Sequence, residues 1–119
     1  MRVDYSVTEA FVSWLLSLGY DAHTRVPDHI PDELVTVERT GGYVADLVDH
    51  PEMAIQCWST SDERAAALAD GVRNALLLEA RPRGVSAVAI ESGPYQFYDE
   101  TTRCPRYQLV VEATCQLTD

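Results

Sequence analysis

The apolar positions of the chain fall into two helical stripes and several alternating runs. Ser6, followed three residues later by Glu9, forms a capping box, and Val7, Phe11, Trp14, Leu15 and Leu18 then recur at helical spacing up to Gly19. A second helix is predicted from Ser59–Ser61 to about Glu79. Asp62 and Glu63 lie in its first turn, and Ala65, Leu68, Ala69, Val72, Ala75 and Leu76 form its buried face. Between the helices, Leu34–Arg39 is β-branched and strand-like and is ended by Gly41-Gly42; Met53–Trp58 alternates as a second strand. Val85–Ile90 reads as a third strand. Tyr107, Leu109, Val111, Ala113, Cys115 and Leu117 alternate with polar neighbours in a fourth, whose other face is left for water or a partner. Loops are predicted at Gly41–Pro51 and Ser92–Pro105. Tyr20–Glu33, with Pro27 and Pro31, reads as irregular with a short extended piece near His23–Val26.

The predicted order is α-β-β-α-β-β. It implies an α+β fold: a four-stranded, mainly antiparallel sheet with two helices packed on one face. At 119 residues, 13.2 kDa and 46% hydrophobic, the chain reads as one domain over residues 1–119.

Charge narrows the function. Nine basic residues face nineteen acidic ones, for a net charge of −10, and all nine are Arg. Without Lys there is no P-loop lysine and no Schiff-base lysine. The acidic balance argues against free nucleic acid as the main partner. Apolar runs such as Ala75–Leu78 are far too short to span a bilayer, and Met1-Arg2-Val3-Asp4 does not begin a signal peptide, so a cytosolic protein without a membrane partner is expected.

Candidate chemistry is sparse. Cys57, Cys104 and Cys115 lack metal-binding spacing, and Cys57 and Cys115 fall in strands as buried thiols. His23, His29 and His50, near Asp21, Asp28 and Asp49, form no ligand box and read as solvated loop histidines. Glu38, Asp46, Glu52 and Asp99-Glu100 lack a nucleophile–base partner, so no enzyme, cofactor or metal is expected. Gly41-Gly42 precedes no helix and reads as a tight turn needing positive φ rather than a phosphate cradle. The N-terminal half, through Thr60, carries 3 basic and 10 acidic residues; the C-terminal half carries 6 and 9. Such asymmetry can serve head-to-tail pairing between copies, but from charge alone a mixed solvated surface is the preferred reading, since exposed pairs are weak.

Several motifs in order carry a resemblance. They are Pro27, Pro31, Leu34–Gly42 with its Arg39-Thr40-Gly41-Gly42 turn, Pro51 and Ile55-Gln56-Cys57-Trp58. Ala65–Ala69, Val72-Arg73, Asp99, Thr101-Thr102 and Pro105-Arg106-Tyr107-Gln108 follow. Over roughly residues 25–116 the chain resembles the tail terminator (tail completion) proteins of long-tailed phages, in the versions encoded by phages and prophages of high-GC Gram-positive bacteria. The resemblance implies a lambda-type terminator subunit that forms a ring, expected to be a hexamer, on the finished tail tube. Such a ring stops tube polymerisation and offers the surface that joins the head–tail connector. It further implies the major tail tube protein and the neck connector as partners, and residence in the host cytoplasm during assembly and then at the tail–neck junction of the virion. DNA would pass through the lumen without specific binding. The copy-to-copy and partner interface expected on this reading comprises Glu38, Arg39, Gly41, Gly42, Asp46, Asp49, Asp99, Arg103 and Arg106. Within it, Arg103 and Arg106 of one copy would meet Glu38, Asp46 or Asp49 of the next. Another head–tail closure component, or a small non-enzymatic adaptor domain, is the alternative.

Overall fold

A computed structural model describes residues 5–98, 100–101 and 103–117. Two serines open its helices. The Ser6 hydroxyl accepts the backbone N–H of Glu9 at 3.3 Å and starts α1 (Val7–Ser17); Ser61 accepts that of Arg64 at 3.2 Å and starts α2 (Asp62–Leu78). Gly19, at φ 95°, ends α1 by turning the chain so that the Tyr20 N–H bonds back to the Leu15 carbonyl. These are the helices the capping signals predict.

The sheet has five strands: β1 (Ala22–His23), β2 (Leu34–Ala45), β3 (Val48–Trp58), β4 (Val85–Gln96) and β5 (Arg106–Gln116). Their spatial order is β1-β2-β3-β5-β4, antiparallel throughout except for the two-residue parallel pairing of β1 with β2. The fold is α+β as expected, with one correction. The extended piece of the irregular segment, at Ala22–His23, joins the sheet as a fifth strand because Val35 N–H bonds to the Asp21 carbonyl and draws it alongside β2.

The register assigns every strand residue to a face. Val35 and Val37 on β2, Met53, Ile55 and Cys57 on β3, and Leu109, Val111, Ala113 and Cys115 on β5 all point to one side. There they pack against Phe11, Trp14 and Leu15 of α1 and Ala69, Val72 and Leu76 of α2, so both helices cover the same face. Two hydrogen bonds tie α1 to the α2–β4 connection: Trp14 Nε1–H donates to the Ala80 carbonyl at 2.6 Å, and Tyr5 O–H to that of Arg83 at 2.7 Å. No helix among the described residues is long and apolar enough to cross a membrane.

Both predicted loops are shorter than expected. Gly41–Pro51 is not a loop but the distal part of the β2–β3 hairpin, whose strands pair out to Ala45 and Val48. The register shifts between Arg39 and Gly41, leaving a bulge at Thr40, and Gly42 continues the strand at φ 107°. A Cβ at Gly42 would lie 2.1 Å from the His50 carbonyl oxygen and 2.7 Å from the Pro51 Cα, so only glycine lets the strands close there. The demand for positive φ at the glycine pair is met inside a strand. The turn itself is made by Asp46 and Leu47, both at positive φ (53° and 63°), the handedness that matches the strand twist. Likewise Ser92–Gln96 of the second predicted loop belongs to β4, which follows β5 through register shifts on either side of Ser92.

Candidate functional site

Among the described residues, no element covers the sheet face opposite the helices, and it divides into two halves of different chemistry. The half near the β4–β5 connection is a closed network. The Arg106 guanidinium lies between two rings, 4.7 Å from the centre of Trp58 and 4.5 Å from that of Phe97. Its Nε–H donates to the Phe97 carbonyl at 2.9 Å and Nη1–H to Gln56 Oε1 at 3.2 Å. Gln56 Nε2–H then donates to Gln108 Oε1 at 2.8 Å, and the Gln108 amide donates to the Tyr95 hydroxyl. Trp58 Nε1–H ends on Thr36 Oγ1 at 3.2 Å. This chain crosses four strands and keeps Trp58 and Gln108 buried with no second layer over them.

The other half is acidic. Glu52 of β3 stands opposite Glu112 of β5, and Glu91, in the β4 bulge, lies close enough to both for their charges to act on its carboxyl. Partial desolvation, reinforced by these two neighbouring carboxylates, holds the Glu91 carboxyl above the usual carboxylate range. His50 Nδ1 lies 3.4 Å from Glu112 Oε1, and Thr40 O–H donates to Glu52 Oε1 at 2.9 Å. Glu38, opposite Ala54, borders the same group.

Beyond the acidic half, the hairpin is braced from both sides. On the helix side, Arg39 holds Asp49 in a bidentate pair, with Nη1 and Nη2 each 2.8 Å from a carboxylate oxygen, while Arg39 Nε–H donates to the Gly41 carbonyl. The bond to Asp49 raises the Arg39 guanidinium above its ordinary range. On the open side, Tyr43 stacks on His50 with ring centres 4.6 Å apart. At the tip, Tyr43, Val44 and Leu47 are exposed.

The expected interface residues therefore separate. Arg39, Gly41, Gly42 and Asp49 meet in the hairpin, with Glu38 at its base and Asp46 in its turn; Arg103, exposed and at φ 55°, and Arg106 lie at the opposite end of the sheet. Asp99 lies outside the described residues. Arg106 and Asp49 are both engaged within the subunit, which differs from the pairing across copies expected for them. Of the histidines, His29 is exposed and His23 lies 2.7 Å from Asp21 Oδ1 in β1. His50 departs from the solvated-loop expectation, because the extended hairpin places it on β3. Cys57 and Cys115 are buried as expected, and burial pushes the Cys57 thiol up to about 12.

Sequence reasoning places Gln56, Trp58 and Gln108 in the motifs that carry the resemblance and names Glu52 among the carboxylates, but it gives none of them a place in the interface and does not single out Phe97, Glu91 or Glu112. A signal was present: Trp58, Gln56, Ala54 and Glu52 alternate on β3 as Arg106, Gln108, Val110 and Glu112 do on β5. Laying the two antiparallel pairs them row by row.

Among the described residues, no group of three or more His, Cys, Asp and Glu side chains is arranged to hold a metal ion. Compared with protein-family models and with curated proteins, the chain matches none.

Proposed function

We propose that the protein is a ring-forming structural subunit of the tail-terminator kind, set between a phage tail tube and the neck connector. The observation that carries this reading is the uncovered sheet face. One side of the sheet holds the main hydrophobic cluster, while the other presents Glu38, Glu52, Glu91 and Glu112 with no layer over them among the described residues. Turned inward in a ring of copies, that face makes an acidic wall, past which DNA slides by like-charge repulsion without sticking. The α+β subunit with both helices on the outer side suits such a wall. The subunit is elongated, 42 Å in its longest dimension against 26 and 25 Å, which lets one copy span from a tube contact to a neck contact. Phe97 and Tyr98, exposed 37% and 67% beside the β4–β5 connection, supply aromatic surface for one of those contacts.

The test is assembly. Purified protein at high concentration should give closed rings of one size in negative-stain images and native mass spectra. Added to tail tube protein polymerising in vitro, it should cap tubes and shorten them. Protein that stays monomeric and leaves tube length unchanged overturns the proposal.

A further inference from the structure

The hairpin tip and a cleft between the two helices are a knob and a hole of one chain. The cleft, about 250 Å3, lies where the end of α1 meets α2; Leu18, Tyr20, Gly71, Ala75 and Leu78 line it, with Asn74 and Glu79. Gly71 helps to form it: a Cβ there would come within 3.0 Å of the Tyr20 hydroxyl, so its absence lets that ring lie back against α2. Leu78, at the rim, is 82% exposed. The knob is the turn at Asp46–Leu47. Leu47 is 58% exposed and stands at φ 63°, a conformation that costs a branched side chain roughly 1–2 kcal/mol and costs glycine nothing. A large aliphatic side chain kept at an exposed, strained turn points to a contact that uses it.

We propose that the hairpin tip of one copy docks in the α1–α2 cleft of the next, with Leu47 seated against Leu18 and Leu78. Three observations favour a second copy as the occupant. Leu47 and Leu78 both remain exposed in the subunit, so neither is satisfied by the other within one chain. At a net charge of −10, two copies repel wherever their acidic surfaces meet, and an apolar knob and hole avoids that cost. The cleft carries Glu79 in its lining, and exposed Arg81, two residues beyond it, offers the opposite charge to Asp46 beside Leu47 on the tip. The tip is also rigid before it binds. Its strands are locked by Arg39–Asp49 and Tyr43–His50, and Leu117 N–H bonds to the Leu47 carbonyl at 3.0 Å, so docking orders little new chain. Knob and hole lie on different elements, so the contact is heterologous and repeats from copy to copy. Its closure into a ring rests on the function proposed above; its chemistry does not.

Cross-linking tests it directly. In a Cys104→Ser background, chains carrying Leu47→Cys and chains carrying Leu78→Cys are mixed and treated with a short bis-maleimide. The mixture should give a covalent dimer that neither chain gives alone, and the double variant should give a ladder of multimers. Leu47→Gly, which removes both the knob and the strain, should keep or raise the melting temperature. It should weaken each copy-to-copy contact roughly tenfold or more, the effect of withdrawing one buried leucine side chain. No dimer from the mixture, equally strong cross-linking of the Leu47→Cys chain alone, or a wild type that stays monomeric at every concentration overturns the proposed contact. Rings that survive Leu47→Gly and do not cross-link leave the ring function standing and remove this contact. Cross-linked ladders that never close do the reverse.

Discussion

Removing the Arg106 side chain should destabilise the subunit itself. In Arg106→Ala, two hydrogen bonds disappear, to the Phe97 carbonyl and to Gln56 Oε1, each with a net worth of about 1 kcal/mol. Two ring contacts at 4.7 and 4.5 Å go with them, each worth roughly 0.5–1 kcal/mol where partly exposed. The loss is about 3 kcal/mol, which for a domain of this size lowers the melting temperature by roughly 10 °C or more. Urea unfolding followed by tryptophan fluorescence reads it, since Trp58, only 4% exposed, is uncovered by the same substitution and its emission should shift to the red in the native baseline. Arg106→Lys should recover less than half of the loss, because an ammonium keeps the charge but neither the planar stack nor the fork. Arg106→Glu should be at least as unstable as Arg106→Ala, so its failure to assemble would report on the fold and not on a charge contact between copies. An Arg106→Ala protein that unfolds within about 0.5 kcal/mol of wild type, the range of an ordinary surface substitution, would refute the account and return Arg106 to the solvated surface.

Three further outcomes are expected. Gly42→Ala should cost about 2–4 kcal/mol in urea unfolding, because the new Cβ meets backbone of β3 at a positive φ; Gly41→Ala, with nothing within 4 Å, should cost far less, and equal effects would remove the close-approach argument. Glu91→Gln should raise the melting temperature at neutral pH. A carboxyl raised in the folded state binds its proton more tightly there than in the unfolded chain, so its ionised form opposes folding; this penalty fades as the pH falls through the raised value. The two proteins should converge near roughly pH 4, and a gain that persists in acid would show another origin. With a thiol reagent at mildly alkaline pH, the folded protein should show at most one fast-reacting cysteine, the half-buried Cys104, and three after denaturation. Fast modification of two would place Cys57 or Cys115 nearer the surface.

The parts of this fold legible in the sequence are those encoded by local patterns. Ser6 and Ser61 announce their helices through side chains that meet backbone three residues on, and the apolar alternation of β5 marks its buried face. The distal hairpin carries no such mark. From Gly41 to Leu47 every residue is exposed, so no alternation betrays a strand, and the pairing is held by a bulge, a glycine and an ion pair ten residues apart. Arg106 was legible as a charge but not as a packing residue, because its two rings arrive from β3 and from the end of β4.

The open face shows why the site was harder to read than the core. Its aromatic half satisfies itself: each polar group of the Trp58–Arg106–Gln56–Gln108–Tyr95 chain finds a partner on a neighbouring strand, and the network does the work of a second layer. The acidic half does not. Glu52 and Glu112 stand opposite each other with Glu91 beside them, and their charges help to hold the Glu91 carboxyl above its ordinary range, so like charges oppose one another there at neutral pH. Repulsion gathered on an uncovered face, and only partly offset by Thr40 and His50, is a cost that a functional surface can return. On the proposed reading the return is a negatively charged wall facing DNA, and neutralising Glu52, Glu91 and Glu112 together should yield a more stable subunit whose rings retain DNA at low salt. Neutralised rings that hold DNA no better than wild type would leave the acidic row without this role.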